Sequence, residues 1–135
     1  MIKPVSGLVI RYAYLWAREK DQGEESGRKS RPVCVQIILV GATPSPKTLL
    51  FPITSQPPGP AVRALAIPQM EARRIGIRLP AWIVVSEWNE DDLETTDCLA
   101  AADPLGAFSK AFVQRIRDEA IVAIKARHYR AVDRR

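Results

Sequence analysis

Histidine and cysteine are scarce in this 135-residue chain, which has one histidine, His128, and two cysteines, Cys34 and Cys98. One imidazole and two thiols without regular spacing are too few soft ligands for a zinc site, so no metal is expected. The same scarcity excludes an acid–base mechanism built on two histidines. Any catalysis falls to carboxylates, hydroxyls and arginines, and no cofactor is expected. Long apolar runs are missing too. No stretch approaches the roughly 18–20 residues that span a bilayer. The segment "GLVIRYAYLW" carries Arg11 in its middle and has no small-residue cleavage site after it, which makes it a poor signal peptide. A cytoplasmic protein with no membrane contact is the expectation.

What is present fits one globular domain. The apolar fraction is 47% and the charged fraction 26%, enough for one hydrophobic core at this length but not for two. The net charge of +5 is unevenly spread: +7 from Met1 to Ala81, −7 from Trp82 to Ser109, and +5 from Lys110 onward. A basic body and a basic tail favour polyanionic partners.

Along the chain, period-two patterning dominates first. In "LVIRYAYLW" the residues Leu8, Ile10, Tyr12, Tyr14 and Trp16 alternate onto one face, which predicts a strand. A polar loop is expected over "AREKDQGEESGRKSR". "PVCVQIILV" predicts a buried strand opened by Pro32, and "GATPSPK" a turn. "TLLFPITSQ" predicts a third strand, with Pro52 demoting part of it to an edge or bulge. "AVRALAIP" is a further strand, "QMEARRIGIRL" a helical turn closed by Gly76, and "PAWIVVSEWN" one strand from Pro80 to Asn89 with Trp82 in the core. The period then changes. Phe112, Val113, Ile116, Ala120, Ile121, Ala123 and Ile124 form one broad helical stripe, with Ser109 as N-cap. His128 is expected to be a solvated residue at the end of this basic helix. The fold class predicted is α+β with β dominant. It is a single domain with a small twisted antiparallel β-barrel over about 7–92, an acidic connector over about 90–108 and an amphipathic helix over about 109–128.

Three pieces, in this order, resemble the PemK/MazF family of toxin endoribonucleases. They are the strand led by Gly7, the polar loop ending in Arg31-Pro32, and Pro52-Ile53-Thr54-Ser55 closing the third strand. The resemblance covers roughly Gly7 to Asp92. It implies a barrel of the MazF/CcdB type, usually a homodimer, which cuts single-stranded RNA without a metal and is neutralised by an antitoxin protein. It also implies active-site roles for Arg31, Thr54 and Ser55. Where the family usually carries an Asp-Gln pair followed closely by Arg, this chain has Ser86, Glu87, Trp88 and Asn89. Glu87 is the candidate substitute for the acid.

The chemistry suits those residue types. Metal-free RNA cleavage uses the neighbouring 2′-hydroxyl as nucleophile, and needs cations or donors for the developing phosphorane charge. A guanidinium binds phosphate oxygens in a fixed fork, which suits Arg31, with Arg28 and Lys29 in support and Gln56 as a further RNA contact. The hydroxyls of Thr54 and Ser55 can donate to a nonbridging oxygen, or they can simply satisfy backbone groups ahead of the prolines. Glu24 or Glu25 could serve as acid or base in place of Glu87. Trp16 and Trp88 could stack bases or lie in the core. The rival reading is a non-catalytic barrel that binds RNA, DNA or a protein partner through the same groove.

Overall fold

The computed structural model describes residues 6–23, 30–38, 47–91 and 104–134. Eight strands, β1 Leu8–Ala13, β2 Ser30–Ile38, β3 Lys47–Thr54, β4 Ala64–Ala66, β5 Trp82–Val84, β6 Glu87–Asp91, β7 Pro104–Ala107 and β8 Arg130–Asp133, are joined by helices α1 Ala17–Asp21, α2 Gln69–Ile75 and α3 Lys110–Lys125. The fold is α+β with β dominant, as the patterning predicts. The sheet runs β4-β5-β3-β2-β1-β7, and β6 joins β3 to β8. Every pairing is antiparallel except β6 with β8.

Several expectations are corrected. The first strand ends at Ala13 rather than Trp16, and the loop after it opens with α1, whose Glu19 carboxylate accepts from the Trp16 N–H at 3.0 Å. "PAWIVVSEWN" is two strands, because the chain turns at Val85 and Ser86. The Ser86 hydroxyl accepts there from the Arg63 N–H at 3.1 Å. Part of the acidic connector, Pro104–Ala107, is β7, and β8 continues a chain expected to end in helix. Trp82 is half-buried, whereas Trp88 is the core residue at 3% exposure. Glu24, Glu25, Arg28, Lys29, the "GATPSP" turn, Cys98 and most of the acidic connector lie outside the described residues.

Pro52 stands in a central strand, which its missing N–H should forbid. The register explains it. On the side away from β2, β3 pairs with β6 at Thr48 to Leu50 and with β5 at Ile53 and Thr54. Phe51 and Pro52 fall where one neighbour gives way to the other, so the proline removes no ladder bond there. Two glycines answer to close approach. Gly7 adopts φ +97°, and a Cβ there would sit 2.7 Å from Val113 Cγ2 of α3. Gly106, at φ +148°, passes so near the Arg74 carbonyl that no side chain fits.

The central strands bury both faces. On one face Val9, Cys34, Phe51 and Ile83 meet Phe112, Ile116 and Ala120 of α3. Burial pushes the Cys34 thiol up to about 12, so it stays protonated and unreactive. On the other face Ile10, Tyr12, Tyr14 and Trp16 join Val33, Val35 and Leu50, the alternation read from the first strand. Only part of the helical stripe is used, since Ile121 and Ile124 remain 40% exposed. The Ser109 cap is present: its Oγ accepts from the Phe112 N–H at 3.2 Å and donates to Glu71 at 2.7 Å. Ser109→Ala should cost about 1 kcal/mol and lower Tm by roughly 4 °C, measurable by thermal melting.

The ladder does not close into a barrel among the described residues. Strands β1 and β6 are separated by β3 and β2, yet side chains span the gap between them. The Tyr12 hydroxyl donates to Asp91 and the Tyr14 hydroxyl to Glu87 at 2.9 Å. Asn89 accepts from the Leu15 N–H at 2.9 Å and donates to the Leu15 carbonyl at 2.7 Å. The sheet therefore curls until β1 and β6 face each other, and this seam is held by side chains rather than by ladder pairing.

Candidate phosphate-binding cleft

Where β2 begins and β3 ends, a cleft of about 430 Å³ opens. Its polar lining is Ser30, Arg31, Thr54, Ser55, Gln56 and Arg78, over an apolar floor of Pro32, Ile53, Ile77 and Ala81. The antiparallel register brings them together. Val33 pairs with Pro52, and the same register carried two residues further sets Arg31 opposite Thr54. On its other side Thr54 pairs with Trp82, which fixes the strand end beside Ala81.

The donors face a shortage of acceptors. Thr54 Oγ1 accepts from the Gln56 N–H at 3.1 Å, so the local turn is satisfied and the hydroxyl proton is left to donate outward. The Arg31 guanidinium lies 5.0 Å from the centroid of the Trp16 ring, and Arg18 lies 4.9 Å from the same centroid. That contact holds the charge at the cleft edge without neutralising it. Arg31 Nε and Trp16 Nε1 are both buried donors with no hydrogen-bond partner. A buried N–H without an acceptor is costly. Among the described residues the lining holds two guanidiniums and no carboxylate.

The structure gathers Arg31, Thr54, Ser55 and Gln56 into this cleft and leaves Glu87 out of its lining. Glu87 sits on β6, where its Oε2 accepts from the Tyr14 hydroxyl and, at 2.9 Å, from the Ala17 N–H. Burial raises its pKa, and those two hydrogen bonds oppose the rise. Tyr14 is held protonated, first by burial and then by the Glu87 charge. Glu87 bonds to Tyr14 while Arg31 lies over Trp16, two rings whose centroids are 5.0 Å apart. The rest of that motif is equally occupied: Ser86 and Asn89 bond backbone groups, and Trp88 packs on Phe51. Sequence reasoning missed Arg78 and Ser30. Arg78 lies in "IGIRLP", after the helical turn, where only its charge set it apart.

Compared with protein-family models and with curated proteins, the chain matches none.

Proposed function

We propose that the protein is a toxin of a type II toxin–antitoxin pair, a metal-independent endoribonuclease acting on single-stranded RNA in this cleft. The observation that supports this reading is the meeting of Arg31 with Thr54, Ser55 and Gln56 in one cleft whose described lining holds two guanidiniums and no carboxylate. A phosphodiester seated there would lie between Arg31 and Arg78, with the Thr54 and Ser55 hydroxyls directed to its nonbridging oxygens. Attack by the 2′-oxygen on phosphorus forms the cyclic phosphate and releases the 5′-oxygen. Charge builds on the nonbridging oxygens as it does so, and preorganised donors act there. The 2′-hydroxyl loses its proton and the leaving oxygen gains one. A cognate antitoxin and a second copy of the chain are the partners this reading requires, and the exposed Ile121, Val122 and Ile124 offer apolar surface for either. No helix among the described residues is long and apolar enough to cross a membrane.

The test is cleavage of a long single-stranded RNA by the purified chain in excess EDTA. Thr54→Ala should slow cutting about tenfold, the loss of one donor to the transition state. Equal cutting by wild type and variant would overturn the assignment of Thr54. One observation favours a second reading, a barrel relative that binds RNA without cutting it: the described lining contains neither carboxylate nor imidazole to move a proton. Salt-sensitive RNA binding with no cutting by wild type would decide for it.

A further inference from the structure

A second cleft, of about 270 Å³, lies at the C-terminal turn of α3 and is lined by Ser86, Arg127, His128, Tyr129 and Arg130. The turn itself is unusual. The His128 N–H donates to the Ala123 carbonyl and the Arg127 N–H to the Ile124 carbonyl, both at 3.0 Å. This is the Schellman closure, in which the residue after the cap takes a left-handed conformation and is usually glycine. Here it is Arg127, at φ 55°, alone among the described non-glycine residues in having positive φ. An arginine at that position stores backbone strain that glycine would avoid.

Tyr129 follows directly. One face of its ring lies on Trp88, with centroids 5.0 Å apart and planes 6° from parallel, and Trp88 is itself braced edge-on by Phe51. Tyr129 is nevertheless 41% exposed. It is a rigid aromatic plate, supported from the core and open to the cleft. The charges around it are not equivalent. Arg130 is held by Asp21 in a two-pronged pair at 2.8 and 3.1 Å, whereas Arg127 has no ion-pair partner among the described residues. An aromatic plate beside an uncommitted cation is the arrangement that binds a base and its phosphate in single-stranded nucleic acid.

We propose that this turn is a second RNA subsite, in which an unpaired base stacks on Tyr129 and a flanking phosphate meets Arg127. It is distinct from the Arg31 cleft and needs no cleavage activity.

The experiment measures binding of the full chain to a fluorescent 2′-O-methyl RNA 12-mer, which lacks the nucleophile and cannot be cut. Tyr129→Ala should weaken binding about tenfold, equal to about 1.4 kcal/mol, while Tyr129→Trp retains it because stacking is kept. Arg127→Gly should weaken binding and flatten its salt dependence by about one charge, yet raise Tm by relieving the left-handed turn. That opposition separates a ligand contact from a structural one. Heparin, a polyanion without bases, should be indifferent to Tyr129→Ala. Wild-type RNA affinity in both Tyr129→Ala and Arg127→Gly overturns the subsite, as does an equal loss of heparin and RNA binding in Tyr129→Ala. The nuclease reading falls separately, if wild type fails to cut cleavable RNA while the Tyr129 dependence persists.

Discussion

On the proposed endoribonuclease reading, Arg31→Ala should reduce metal-free cleavage of single-stranded RNA at least tenfold, a loss of about 1.4 kcal/mol or more of transition-state stabilisation. The guanidinium is half-buried at the cleft edge, stacked on Trp16, with its Nε lacking any acceptor. Truncation therefore removes a positioned charge and breaks no hydrogen bond made by that nitrogen, so the fold should survive. Arg31→Lys should recover little. A lysine keeps the charge but neither forks onto two phosphate oxygens nor lies flat on an indole. Activity would be measured in EDTA, with a thermal melt to confirm folding. Full activity in Arg31→Ala would remove the cleft from the mechanism, and full rescue by lysine would reduce its role to that of a point charge.

Asn89→Ala should destabilise the fold by roughly 3 kcal/mol, because two buried backbone groups lose their partners together. Asn89 is fully buried, holds both the N–H and the carbonyl of Leu15, and accepts from Arg134 at 3.0 Å. These bonds tie the end of β1 to β6 where no ladder connects them. For a domain of this size the loss corresponds to a fall in Tm of about 10 °C. Asn89→Asp should also destabilise, since it loses the donor to the Leu15 carbonyl and brings a charge into the interior. Denaturant titration would measure both. A shift within 2 °C for Asn89→Ala would mean that the seam is held by the tyrosine–carboxylate bonds instead.

The second result bears on one short segment, Ser86, Glu87, Trp88 and Asn89. In this chain they are engaged in the seam, the turn at Arg63 and the core. The cleft draws its second arginine from Arg78.

The sequence by itself determined the strands with alternating patterns and the terminal helix. Ile10 and Tyr12 share a cluster because side chains alternate along an extended chain, and Ser109 caps α3 because its hydroxyl satisfies a free N–H. It also pointed to Arg31, Thr54 and Ser55, but only through the resemblance of Arg31-Pro32 and Pro52-Ile53-Thr54-Ser55 to the PemK/MazF family; the β2–β3 register is what sets them in one cleft. Only the tertiary structure decided the rest. The break at Val85 and Ser86 carries no glycine or proline to announce it, and depends on a hydrogen bond to Arg63, 23 positions away. Strand β8 pairs in parallel with β6 across some forty residues of intervening chain, a contact that no local pattern encodes. The place of Glu87 followed from that pairing and from the curl of the sheet. Which face a carboxylate meets depends on what the sheet folds against, and that is a property of the assembled chain.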